Sequence, residues 1–143
     1  MIEDNVEFES EDINFELTNY QQVSSWINQV INTYNCSPSA ITYIFCSDEY
    51  LHKINVEYLD HDTFTDIITF NNADEAGNIE GDIFVSIDRV KDNASDLNIL
   101  FEDELHRVLI HGILHLIGFD DSTPELKAAM RLEEDKCLSL RSF

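Results

Sequence analysis

The run from His111 to Asp121, His-Gly-Ile-Leu-His-Leu-Ile-Gly-Phe-Asp-Asp, constrains this chain more than any other segment. Two histidines four residues apart lie on one face of a helix, about 5–6 Å apart at Cβ. That is close enough for two ring nitrogens to bind one Zn²⁺ at ~2.0–2.1 Å. Gly118 can take the left-handed conformation that ends a helix at little steric cost, and the reversed chain then carries Asp121 back toward His111 and His115. Three protein ligands leave a fourth position for water or substrate, the pattern of a catalytic site. One histidine in this place would be a packed or capped side chain. Two, inside the apolar stretch of Val108, Leu109, Ile110, Ile113, Leu114, Leu116 and Ile117, would set two polar rings against a core without partners, which is costly. A metal ion supplies the partner.

The same residues resemble the histidine signature of the YbeY family of bacterial ribosomal-RNA maturation endoribonucleases, which reads roughly H-G-x-L-H-L-x-G-[YF]-D-H. Further stretches agree in order: Asn55 with Tyr58, Thr65-Asp66-Ile67-Ile68-Thr69-Phe70, Gly81-Asp82-Ile83, and Met130 with Glu133 or Glu134. The resemblance runs from about Ile41 to Leu140. It implies a metal-dependent endoribonuclease specific for single strands, acting in 16S rRNA processing and small-subunit quality control. It also implies one Zn²⁺ per chain, ribosomal RNA and the small ribosomal subunit or assembly factors as partners, and a cytoplasmic setting.

Two departures from the family pattern bear on chemistry. Asp121 stands where the pattern ends in histidine. Zn²⁺ accepts a carboxylate oxygen at ~2.0–2.2 Å, but its charge is then more fully neutralised and a bound water less acidic. Leu59 stands at the position of a family arginine. Arg107, four residues before His111 and on the same helix face, is the candidate substitute among the catalytic residues, beside His111 and His115. The plainer alternative pairs Arg107 with Asp103 or Glu104 on a solvated surface.

At 143 residues the chain is long enough for one domain with a real core, expected to span 1–143, and 43% apolar content excludes general disorder. No stretch approaches the roughly 18 apolar residues of a membrane span, and the acidic start Met1-Ile2-Glu3-Asp4 does not read as a secretory signal. Cys36, Cys46 and Cys137 are odd in number and lack C-x-x-C spacing, so reduced, mostly buried thiols are expected, with no disulfide partner. The net charge is −21, from eight Lys and Arg against twenty-nine Asp and Glu. Nucleic-acid binders normally carry a basic footprint, so non-specific RNA binding should be weak unless Lys53, Arg89, Lys91, Arg107 and Arg131 gather in a cleft. Self-repulsion at this acidity favours a monomer.

Along the chain, residues 1–12 read as an acidic lead. Ile13, Phe15 and Leu17 alternate like a strand, and Tyr20 to Tyr34 repeat at helical spacing after Thr18-Asn19, a cap. Ser39 to Cys46 reads as a strand, and Ser47 as the cap of a helix bearing Leu51, Ile54 and Tyr58. Asp66–Phe70 and Gly81–Ile87 read as a hairpin or neighbouring strands around the loop Asn71–Glu80. A short helix follows Asp88, then a long one from about Glu102 to Ile117. Ser122-Thr123-Pro124-Glu125 fits a capping box opening a last helix through Leu126, Met130 and Cys137. The expectation is an α+β fold, a mixed four-stranded sheet packed with about five helices, with the metal site on the long central helix.

Several residues invite a functional reading and receive a structural one. His106 lies about 140° round the helix from His111 and faces elsewhere. His52 and His61 are surface histidines, and Trp26 is partial core. Asp66 and Asp82 anchor loops through backbone N–H bonds, or else orient a ligand histidine through its second nitrogen. A zincin protease carries its general base directly after the first ligand histidine. Here that residue is Gly112, which argues against peptide hydrolysis despite metzincin-like spacing to Asp121. Two further readings stay open: a metal-stabilised ribosome-assembly module that binds without cutting, and a hydrolase of another substrate.

Overall fold

The computed structural model describes residues 5–143, so the acidic start Met1–Asp4 lies outside it. The elements in order are β1 Val6–Ser10, α1 Tyr20–Thr33, β2 Ser37–Cys46, α2 Asp48–Leu59, β3 Ile67–Asn71, β4 Asn78–Ser86, α3 Ile87–Leu97, α4 Phe101–Ile117 and α5 Pro124–Leu138. The sheet order is β1-β2-β4-β3, with β1, β2 and β4 parallel and β3 antiparallel to β4. This is the expected mixed four-stranded sheet with five helices. Side-chain alternation along the strands divides the apolar residues. Ile83 and Val85 of β4 enter the large core with α1, α4 and α5. Phe84, with Ile68 and Phe70 of β3, belongs to a smaller cluster with Leu51 and Ile54 of α2.

The first strand is displaced from its expected position. Ile13, Phe15 and Leu17 form no strand but pack as partly buried side chains on the large core, with Phe15 edge-on to Phe45 and Phe101. The strand is Val6–Ser10, inside the segment read as an acidic lead. An edge strand can be apolar on one face alone: Val6 is buried, Phe8 stacks on Tyr43 and Phe45, and Glu7 and Glu9 stay exposed. Trp26 also departs from expectation. It is core rather than partial core, 2% exposed, with its indole N–H donating to the Cys137 carbonyl at 2.8 Å.

Helix α4 lies against the sheet through Gly112. A methyl group there would come within 3.0–3.2 Å of Ile67 and Ile83, so the missing side chain permits close helix–sheet contact. Leu109, Ile113 and Leu114 are fully buried, each contributing roughly 1.5–3 kcal/mol. The helix closes in a Schellman motif: Phe119 N–H donates to Leu114 O at 3.0 Å and Gly118 N–H to His115 O at 3.1 Å, with Gly118 at φ +126°. Helix α5 is capped by Thr123, whose side chain accepts from Leu126 N–H, with Pro124 in the first turn. The expected Ser122–Glu125 capping box does not form: Thr123 is the cap, and Ser122 is engaged by Asp120 through both its N–H and its hydroxyl.

Cys36, Cys46 and Cys137 are free thiols, the last two buried. Among the described residues no helix is long and apolar enough to cross a membrane.

His106 sits against Trp26 and Phe143 and accepts at Nδ1 from Arg141 at 2.8 Å. Burial first, then the Arg141 charge, push its pKa down to about 4. A histidine depressed in the folded state stabilises the fold above its unfolded pKa, and the contribution is lost as pH falls. Between about pH 6.5 and 4 the loss should reach on the order of 2 kcal/mol. His106→Gln keeps an acceptor for Arg141 and removes the titration, so its denaturant-derived stability should fall less steeply across that window. Parallel curves for the two proteins would contradict this reading.

Candidate metal centre

The long helix and its glycine-terminated end bring His111, His115 and Asp121 together, with one possible ligand atom from each within 4.8 Å of the others. His111 Nε2 and His115 Nε2 are 3.0 Å apart, and Asp121 Oδ2 lies 3.4 Å from the first and 3.5 Å from the second. Ligand atoms bound tetrahedrally at ~2.0–2.1 Å stand ~3.3 Å from one another, so the triangle is close to the right size for a small divalent cation. The side chains are 21%, 27% and 34% exposed. The group is thus open to solvent on one side and packed on the other.

The far ring nitrogens explain why the Nε2 atoms point inward. His115 Nδ1 faces the Phe119 carbonyl at 3.1 Å, and a carbonyl only accepts, so that nitrogen carries the proton. His111 Nδ1 faces Glu134 Oε2 at 2.6 Å. Burial works against the Glu134 charge, yet hydrogen bonds from His111 and Arg107 hold its pKa below the usual carboxylate value. Burial likewise opposes protonation of His111, but Glu134, then Asp121 and Asp66, turn its shift upward. Glu134 therefore accepts from His111, and both Nε2 lone pairs converge with the Asp121 carboxylate. A proton on one Nε2 satisfies one such contact, whereas a cation satisfies all three. The donor set fits a metal ion, and each histidine has the outer hydrogen bond that fixes a ligand ring.

Arg107 lies beside this arrangement and faces α5. One guanidinium nitrogen donates to Glu134 Oε1 at 2.8 Å and another to Asp135 Oδ1 at 2.6 Å. The expected pairing with Asp103 or Glu104 is not what forms: Asp103 pairs with Arg141, and Glu104 is buried with Oε1 lacking a hydrogen-bond partner. Burial raises the pKa of both Glu104 and Asp66, Asp66 also feeling the opposing charge of His111. Asp66 accepts from Asn93 at 3.4 Å and touches neither ligand ring's outer nitrogen. Asp82 accepts from Asn72 at 3.3 Å. The orienting role considered for these aspartates falls instead to Glu134 and the Phe119 carbonyl.

Glu134 had a signal in the sequence. Met130, Glu134 and Cys137 are the buried residues of α5, so a carboxylate sits on the helix's apolar stripe, where an unpaired charge is costly. His52 pairs with Asp62 at 2.8 Å and stacks on Phe64, and His61 is exposed. Leu59 is 40% exposed at the end of α2. Of the cations considered, Arg89 pairs with Asp48, Arg107 with Glu134 and Asp135 of α5, and Lys53 of α2 lines a cavity.

Glu134→Gln keeps the size of the side chain and removes the charge that holds His111. Zn²⁺ affinity, read by competition against a chromogenic chelator, should fall about 10–100-fold. Unchanged affinity in a folded variant would remove Glu134 from the account.

The family model described as Endoribonuclease YbeY matches residues 5–141. A protein named Endoribonuclease YbeY from Cytophaga hutchinsonii is 50% identical over 143 residues, covering 100% of both chains. Its namesake from Flavobacterium johnsoniae is 50% identical over 137 residues, covering 95% of each. That of Porphyromonas gingivalis is 44% identical over 133 residues, covering 93% of this chain and 87% of the relative. The solution structure of TM1509 from Thermotoga maritima shares the fold, with a TM-score of 0.66 and 24% identity over 94% of this chain and 87% of that one. The match of the family model over residues 5–141 and the full-length relatives show that the chain belongs to the Endoribonuclease YbeY family, with Asp121 in place of the pattern's last histidine.

Proposed function

We propose that this protein is a metal-dependent endoribonuclease that cuts single-stranded RNA during ribosomal RNA maturation, with His111, His115 and Asp121 holding one Zn²⁺. The carrying observation is the convergence of two inward-facing Nε2 atoms and a carboxylate on one side of α4, open to solvent. When bound, the ion supplies a Lewis acid toward a phosphoryl oxygen, the role a carboxylate ligand favours over strong acidification of water. Glu134 and the Phe119 carbonyl hold the two rings in the required tautomer. Arg107 acts through Glu134 as a positioning residue, since Glu134 and Asp135 engage its guanidinium. Gly112, which faces Ile67 and Ile83, supplies no carboxylate where a zincin carries its general base.

On this reading the chain works as one domain in the cytoplasm, with 16S rRNA and the small ribosomal subunit or its assembly factors as partners. A second reading, a metal-stabilised assembly module that binds without cutting, is favoured by two observations. Leu59 stands in place of the family arginine, and Arg107 is committed to α5 rather than free for phosphate.

The two readings separate by one comparison. Zn²⁺-loaded protein should cleave an end-labelled single-stranded RNA, chelation should abolish cleavage, and restored Zn²⁺ should recover it. His115→Ala should lose at least about a hundredfold in kcat/KM while melting near wild type. Cleavage that persists through chelation would contradict the proposal. A His115→Ala variant that cannot fold would favour a structural metal and the binding module.

A further inference from the structure

Tyr58 is 69% exposed at the end of α2, yet it continues a chain of rings. It lies 6.1 Å from Phe70 and edge-on to it, Phe70 is 5.8 Å from Phe84, and Phe84 stacks on Tyr50 at 6.5 Å. These four rings, with Lys53, Glu57 and Asp82, border a cavity of about 530 Å³ on the sheet face that carries α2. Asp82 accepts one long hydrogen bond, from Asn72 at 3.3 Å, which leaves acceptor capacity on its carboxylate. Lys53 makes no ion pair among the described residues, in a chain where acids outnumber cations more than threefold.

The cavity lies behind the metal centre. Asp82 follows Gly81, and the other side of β4 at Gly81 is covered by Leu116, the neighbour of His115. The two features thus occupy opposite faces of the same end of the β3–β4 hairpin, and β3 is an edge strand of the sheet, around which a single strand can pass.

We propose that this cavity receives an unpaired nucleobase of the substrate RNA, at a nucleotide away from the cut bond. This rests on the endoribonuclease reading. The base stacks on Tyr58, Asp82 accepts from N–H groups on its edge, and Lys53 meets a neighbouring phosphate. Guanine, with two adjacent N–H donor positions, suits a carboxylate best. With a charge of −21, phosphate attraction, which supplies most non-specific binding, is weak here, and stacking supplies affinity that does not depend on it. An arginine side chain from a protein partner would also suit these rings and the carboxylates of Glu57 and Asp82, and the test below separates it from a nucleobase.

The test compares wild type, Tyr58→Ala and Tyr58→Phe, all Zn²⁺-loaded. With a short single-stranded RNA, Tyr58→Ala should raise KM about tenfold and leave kcat within about twofold, while Tyr58→Phe stays near wild type. Unchanged KM in Tyr58→Ala overturns the proposal. Independently of cleavage, guanosine 5′-monophosphate should shift the ring proton signals of Tyr50, Phe70 and Phe84 in wild type and not in Tyr58→Ala. Ring shifts without any RNA cleavage would count against the endoribonuclease reading and for the cavity. Absence of ring shifts, or tighter binding of N-acetylarginine amide at the same rings, would overturn the nucleobase assignment.

Discussion

Helix α4 has to press one side against the sheet while keeping two imidazoles half-open along its flank, and the centre depends on that placement. Gly112 sets the distance, because Ile67 and Ile83 occupy the space a side chain would take. Next to it, His111 and His115 are turned away from the core. The other constraint is at the end of the helix. With Gly118 at φ +126° the last carbonyls are satisfied within the Schellman motif, and the Phe119 carbonyl remains for His115. The same reversal returns Asp121 to both histidines.

Electrostatics supports that geometry from behind. Glu134 is 5% exposed, where a lone carboxylate would be strongly destabilising. It is tolerated because His111 takes one oxygen and Arg107 the other. The chain His111–Glu134–Arg107–Asp135 thereby ties α4 to α5 and fixes the His111 ring with the same interactions. Burial raises the pKa values of Asp66 and Glu104. The side that faces solvent carries the donors, and the side that faces the core carries the groups that aim them.

Much of this was legible in the sequence because it is local. The i, i+4 histidines, the glycine that ends the helix and the aspartate beyond it lie within eleven consecutive residues, so helical geometry alone relates them. The β3–β4 hairpin and the cap at Ser47 were readable for the same reason. Long-range choices were not. Arg107 and Glu134 meet across 27 positions, and nothing periodic selects that pairing over Asp103 or Glu104. The first strand was missed because an edge strand needs only Val6 and Phe8 on its inner face, so alternating Glu7 and Glu9 made it resemble a solvated lead. Ile13, Phe15 and Leu17 alternate as well, but their side chains cover the core from an irregular segment.

The central claim is that three residues on one helix and its terminal turn share one ion. The most direct measurement is elemental analysis of untagged, reconstituted protein beside Asp121→Ala, with unfolding curves to confirm that both are folded. The account predicts close to one transition-metal ion per chain in wild type and a large loss in the variant. Full metal content in Asp121→Ala, or none in wild type, would contradict it.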